Sequence, residues 1–205
     1  MRRGIGVAAI VCFLPHFHIP LQAGSDHVLK LMHRRYDTCL YRDKLQYIKQ
    51  CMPDACIAAD VMAGFNGESE EEFGKVLEYI ENLPISYLHV FTYSDRPGTA
   101  ALRLGEKIPM HTRREHTARL LELSEQKHRQ FIESQLGKSR PVLWESKMVN
   151  EETNDCGNTN STPHSSSKML GWTDNYIRLC RPYDEARVGT VEQMIITPDN
   201  IVYER

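Results

Sequence analysis

A chain of 205 residues has room for one or two domains, and 41% hydrophobic with 25% charged residues excludes gross disorder. The formal net charge of −2 excludes a global pull toward nucleic acid, so any RNA binding must come from local patches.

Residues 1–14 place Arg2 and Arg3 before a short apolar run that superficially resembles a signal peptide. No small-residue cleavage site follows, and the run is far shorter than the about 20 apolar residues that span a membrane. Residues 1–15 therefore read as an atypical start, truncated or wrongly assigned. Residues 17–21 are a short apolar run that closes on a turn cluster at 22–26. Helical spacing follows at Val28, Leu29 and Met32, then at Leu45, Ile48 and Met52, until Pro53 and Asp54 break it. Residues 57–64 have the length and flanking turns of a strand. A loop at 64–68 leads to Ser69, which with Glu72 forms a capping box. Phe73, Val76, Leu77, Ile80 and Leu83 then make one apolar helical stripe, ended by Pro84. Residues 87–93 read as a third strand, residues 94–99 as a turn and residues 112–136 as a long polar helix.

After Gly137 the character changes. Residues 141–145 read as a strand, and residues 150–167, rich in Asn, Ser and Thr, as a long loop. Residues 175–179, 189–194 and 200–203 are short strand candidates, a small β-barrel pattern. The predicted organisation is an α/β domain over 16–136 and an all-β domain over 137–205, with no internal repeat.

Three strand–helix units starting about 30–40 residues apart argue for a parallel sheet or barrel, in which ligand chemistry sits on the loops after the strands. In the first such loop Gln22, Ser25 and Asp26 offer polar groups, and Gly24 permits close backbone approach. His16 and His18 would share one strand face, as metal ligands sometimes do. No third ligand is evident nearby, so a hydrogen-bonded histidine pair is the preferred reading and no metal site is assigned. In the second loop Gly64 and Gly67 precede a capped helix, where a ligand can meet backbone amides; the same pattern also fits an ordinary tight turn. In the third loop Arg96 offers a planar cationic fork, and Pro97-Gly98 favours a type II turn.

Six cysteines stand at 12, 39, 51, 56, 156 and 180. None has zinc-finger spacing, and the C-x4-C pair of Cys51 and Cys56 lacks a third cysteine two residues on. Loose cysteines of this kind fit a reducing cytosol better than a disulfide scaffold.

Together the loops carry a resemblance. HIPLQAGSD at 18–26, DVMAGFNGE at 60–68 and YLHVFTYSDRPGTAA at 87–101, in that order, resemble the methylthiotransferase family of radical S-adenosylmethionine enzymes. GWTDNYI at 171–177 resembles the signature of that family's C-terminal TRAM domain, a small RNA-binding β-barrel. The match runs in register from about His16 to the end and looks most like the branch that acts on threonylcarbamoyladenosine beside the tRNA anticodon. Sister branches act on isopentenyladenosine or on a ribosomal protein. The resemblance implies part of a radical S-adenosylmethionine barrel followed by a TRAM barrel, in a cytoplasmic tRNA-modifying enzyme. It implies Gln22 and Ser25 near the cofactor ribose and Gly64, Phe65 and Gly67 near its adenine or methionine part. Tyr93, Ser94 and Arg96 would line the barrel mouth. Thr173, Asn175, Tyr176 and Arg178 would sit on the RNA-facing part, with the anticodon stem-loop as partner. Residues 107–140, with eight Lys/Arg against four Glu, would guide RNA electrostatically or simply form a solvated helix face.

The family uses two 4Fe–4S clusters, one on a C-x3-C-x2-C triad and one on three further cysteines. Neither set is present, and Cys39, Cys51 and Cys56 are twelve and five residues apart. Asn66 stands where the family usually has proline. The chain is therefore expected to be a C-terminal fragment, inactive alone, with a separate N-terminal piece as a candidate partner. Two other readings stand beside this one: a non-catalytic tRNA-binding module, and an unrelated phosphate-binding α/β enzyme using Gly64, Gly67 and Arg96.

Overall fold

The computed structural model describes residues 14–149 and 168–203. The chain divides into two compact units, one of residues His16–Ser134 and one that includes Gln135–Arg205. The expected atypical start and the long loop at 150–167 lie outside the described residues, apart from Leu14 and Pro15.

The first unit alternates strand and helix: β1 (His16–His18), α1 (Asp26–Leu31), α2 (Thr38–Cys51), β2 (Cys56–Ala63), α3 (Glu70–Glu81), β3 (Tyr87–Thr92) and α4 (Met110–Gln135, whose last residue belongs to the second unit). The three strands pair in parallel, in the order β1-β2-β3. Parallel neighbours need a crossover between them, and the helices supply it. The N-terminus of α3 forms where the capping box predicts, with the Glu72 N–H donated to Ser69 Oγ at 3.2 Å and three glutamates in the first turn, favourable at the helix dipole's positive end. Its stripe of Phe73, Val76 and Ile80 is buried against Ile57, Ala59, Val61 and Ala63, which alternate along one face of β2. The opposite face of the sheet carries His16, His18, Asp60, Met62, Tyr87, His89 and Phe91.

The second unit is a four-stranded antiparallel sheet, ordered β6-β5-β4-β7, from β4 (Ser139–Val149), β5 (Lys168–Thr173), β6 (Arg178–Pro182) and β7 (Val191–Ile195). Val142, Trp144, Met169, Leu179 and Ile196 are buried within it. The backbones of β4 and β5 close tightly at Gly171, where a Cβ would stand 2.7 Å from both Trp144 and Val142. The strand expected at 175–179 begins only at Arg178. Residues before it are a turn, because Tyr176 takes the left-handed φ of +67° and its N–H bonds back to the Thr173 carbonyl at 3.0 Å. The strand expected at 200–203 is reduced to one bridge between Ile201 and Leu179. Sequence reading missed β5, whose Lys-Met-Leu-Gly-Trp-Thr run lacks a clear alternation. Among the described residues no helix is long and apolar enough to cross a membrane.

Candidate functional site

The three loops singled out by sequence all leave the C-terminal ends of parallel strands, so the topology gathers them at one end of the first unit. After β1 the chain stays beside β2. Gln22 bridges to Val61, its N–H donated to the Asp60 carbonyl at 2.8 Å and its own carbonyl accepting from Met62 N–H at 2.8 Å. Its φ of +69° is left-handed and rare for a side chain of this size, and it turns Oε1 to accept from Arg34 at 2.9 Å. Ser25 is 5% exposed: its Oγ caps α1 by accepting from Val28 N–H and donates to the Glu72 carboxylate.

The second loop owes its glycines to packing within the fold. Gly64 has φ +74° and Gly67 φ +90°. A Cβ at Gly64 would stand 2.3 Å from Arg113 Cγ, and one at Gly67 2.6 Å from Leu31 Cδ1. Gly64 N–H donates to Glu68 Oε1 at 2.8 Å, which also meets His116 Nδ1 at 2.8 Å; His116 Nε2 faces Glu70 at 2.9 Å. Arg113, 1% exposed, ties this loop to the third: it donates to Asn66 Oδ1 at 3.1 Å and to the Tyr93 carbonyl and Asp95 Oδ1 at 3.2 Å each. Its guanidinium lies 4.9 Å over the Tyr93 ring, where the cation meets the ring's negative face. Asn66 is a structural member of this network, since its amide also donates to the Ala101 carbonyl at 3.0 Å.

A cleft of about 450 Å³ opens between β2, β3 and the third loop, lined by Met62, Phe91, Tyr93, Ser94, Arg96 and Thr99. Ser94 and Arg96 are exposed, while Tyr93 is 8% exposed. Phe65 packs edge-on against Tyr93 at 4.9 Å. The Tyr93 hydroxyl is buried and meets no hydrogen-bond partner among the described residues, an arrangement that costs about 1–3 kcal/mol unless something satisfies it. Of the expected cofactor residues, Tyr93, Ser94 and Arg96 therefore share one cleft. Phe65 lies behind Tyr93, and Gln22, Ser25, Gly64 and Gly67 shape the loops around it.

The histidine pair splits. His16 Nε2 meets Tyr87 Oη at 3.2 Å, and His18 Nε2 meets Asp60 Oδ1 at 2.5 Å. Burial, with the nearby His18 and His89, holds the His16 pKa below its ordinary value. The basic segment at 107–140 is not uniformly an exposed surface. Arg113 is internal, and Lys127 donates inward to the carbonyls of Glu81 and Leu83 at 2.9 Å, so neither can guide RNA.

In the second unit, Thr173 (4% exposed) and Asn175 (0%) face inward and hold the turn. Thr173 Oγ1 donates to Asn175 Oδ1 at 2.8 Å and accepts from Ile177 N–H at 2.8 Å, and Asn175 donates to Gln135 Oε1 at 3.1 Å. Thr173 and Asn175 therefore support the expected RNA-facing surface from beneath. Outside, Tyr176 stacks on Trp172 with centroids 4.5 Å apart and planes 17° apart, and Arg178 lies 4.8 Å over the Trp172 ring. Trp172 completes this platform although sequence reading did not single it out; its place directly after Gly171 and opposite Arg178 is a pairing only the sheet register supplies.

The described cysteines do not assemble. Cys39 and Cys51 are exposed on α2, Cys56 is buried in β2, and burial pushes its thiol up to about 11, away from the thiolate that metal ligation needs. Among the described residues no three thiols come together.

No protein-family profile matches the chain. It is 41% identical over 129 residues to the threonylcarbamoyladenosine tRNA methylthiotransferase MtaB of Aquifex aeolicus, covering 63% of this chain and 32% of that protein. It is 32% identical over 181 residues to the protein of the same name from Bacillus subtilis, covering 88% of this chain and 38% of that one. To the tRNA-2-methylthio-N(6)-dimethylallyladenosine synthase of Desulfitobacterium hafniense it is 30% identical over 194 residues, 95% of this chain and 40% of that protein. The chain thus spans only about a third to two fifths of the length of these curated relatives.

Proposed function

We infer that this chain, which belongs to the radical S-adenosylmethionine tRNA methylthiotransferase family, supplies cofactor-facing and RNA-facing parts of an enzyme that methylthiolates an adenosine of tRNA. The carrying observation is the cleft at the ends of β2 and β3, with the buried, unsatisfied Tyr93 hydroxyl in its wall, on the stretch shared with relatives of that name. The finer reading is a threonylcarbamoyl-modified adenosine beside the anticodon, the substrate named for a 41% identical relative, although a dimethylallyladenosine synthase is 42% identical over 135 residues and identity alone does not separate the two. The match to a dimethylallyladenosine synthase keeps the sister substrate as the second reading.

The residues fit an adenosyl group. Tyr93 offers a buried donor, Ser94 and Arg96 offer exposed polar groups at the rim, and Met62 and Phe91 give apolar walls. Gln22, Ser25, Gly64, Phe65 and Gly67 set the shape of the surrounding loops. Bound S-adenosylmethionine supplies the methyl group and the radical source of the family's chemistry. The chain's part is to orient it and to present the RNA base. The described residues do not fit an iron–sulfur cluster, since no thiolate triad forms among them. Trp172, Tyr176 and Arg178 form a platform of the kind that stacks a nucleobase and pairs a phosphate, in a TRAM-like domain facing the anticodon stem-loop in the cytoplasm.

Equilibrium dialysis with labelled S-adenosylmethionine tests the cofactor reading. Saturable binding by the full chain is expected, with Tyr93→Phe weakening it about tenfold, the equivalent of one hydrogen bond of about 1.4 kcal/mol. Binding absent at millimolar ligand, or untouched by Tyr93→Phe and by Arg96→Ala, overturns it.

A further inference from the structure

The sheet face opposite the helices carries a residue set that the cofactor reading leaves unused. Asp60 on β2 pairs directly with His89 on β3, and His18 on β1 pairs with Ala58, one same-face position earlier on β2. Strand side chains two apart share a face, so three neighbouring strands each deliver one donor to the same side of the sheet. The ligand atoms of His18, Asp60 and His89 all lie within 4.8 Å of one another. His18 Nε2 stands 2.5 Å from Asp60 Oδ1, and the His18 and His89 rings are 4.9 Å apart.

We propose that His18, Asp60 and His89 form a binding site for one divalent first-row transition-metal cation, of the class of Zn²⁺, Co²⁺ or Fe²⁺. Two imidazoles and one carboxylate are the donor set such borderline cations take, whereas Mg²⁺ and Ca²⁺ demand mostly oxygen. A cation about 2.1 Å from each donor holds its ligands about 3–3.5 Å apart, so closing the set takes side-chain shifts of about 1 Å. The donors sit on paired strands, which hold their Cα positions better than loops do. Tyr87 stands edge-on to His89 at 5.3 Å, which restrains that ring, and itself meets His16. Half-exposed His18 and His89 leave the ion an entry path. A simple His18–Asp60 pair accounts for two of the three residues and gives no reason for a third donor converging on them.

Three donors on one face leave coordination positions open on the side away from the sheet. The next same-face residues along β2 and β3 are Met62 and Phe91, about 7 Å further on, and both line the cleft. The open positions would take water, or a nitrogen or oxygen donor of a molecule reaching down from the cleft.

The test is a Co²⁺ titration of the full chain after chelator treatment and under reducing, anaerobic conditions, read by visible ligand-field absorption. The expected result is saturation at one equivalent, without the intense thiolate charge-transfer band that cysteine ligation would add, and displacement by Zn²⁺. His89→Ala and Asp60→Asn should each weaken binding at least tenfold; the second keeps the shape of the side chain and removes its charge. His33→Ala, an exposed histidine outside the set, should bind as the wild type does. Circular dichroism of each variant checks folding. No saturable spectrum, a thiolate band, or binding indifferent to His89→Ala and Asp60→Asn overturns the site. The outcome is independent of S-adenosylmethionine binding, which the dialysis experiment measures separately.

Discussion

His116 lies 0% exposed between two carboxylates, and the chemistry of its ring decides its charge. A neutral imidazole carries one N–H and cannot donate to both Glu68 and Glu70; a protonated ring can. Burial opposes that charge, but the hydrogen bonds and negative charges of Glu68 and Glu70 outweigh it and hold the pKa above its ordinary value. A raised folded-state pKa contributes stability that is complete below the unfolded value of about 6.5 and is lost as pH climbs through the raised one. The thermal midpoint should therefore fall as pH rises from about 6.5, and His116→Gln should flatten that fall whatever its effect on the absolute midpoint. An equal slope in both proteins rules the assignment out. Residues of this kind were only half legible in sequence. Glu68 and Glu70 stand in a recognisable loop and capped helix, but His116 and Arg113 lie more than forty residues downstream on what reads as a solvated polar helix. Nothing local marks them as the inward side of α4.

At the scale of elements, period and caps did most of the specifying. Ser69, Glu72 and the Phe73-Val76-Ile80 stripe predict α3 because each signal is local and all agree. β5 shows the contrary case, since its buried run of Met169, Leu170 and Gly171 has no clean alternation and only its partners make it a strand. Gly171 is where those partners approach most closely. Gly171→Ala would place a Cβ 2.7 Å from the Trp144 ring and from Val142, an overpacking expected to cost about 1–3 kcal/mol in urea unfolding. A change below about 0.5 kcal/mol would mean that β4 and β5 can separate without penalty. The turn before β6 was misread as strand for a related reason: Tyr176 at φ +67° needs the Thr173 hydrogen bonds to hold it, and those depend on Thr173 being buried.

For the molecule as a whole, a net charge of −2 means that any RNA affinity has to be concentrated in a few groups. The platform of Trp172, Tyr176 and Arg178 is the best candidate. In gel shifts with an anticodon stem-loop, Trp172→Ala or Tyr176→Ala should cost about 1–3 kcal/mol, while Arg178→Ala should also reduce the salt dependence by about one phosphate contact. Binding unchanged by all three would move the RNA surface elsewhere. Sequence by itself determined the α/β class, the parallel strand–helix order, the α3 cap and stripe, and the kinship with tRNA methylthiotransferases, because these rest on local period and on motifs contiguous along the chain. Only the tertiary structure decided which motif residues reach a cleft and which are internal supports. It turned Ser25, Gly64, Thr173 and Asn175 toward the fold, and it brought Trp172 up to Tyr176 and Arg178. It also set His18, Asp60 and His89 side by side from positions up to 71 residues apart. Strand register alone makes neighbours of such residues, and register is fixed by long-range pairing that no local pattern encodes.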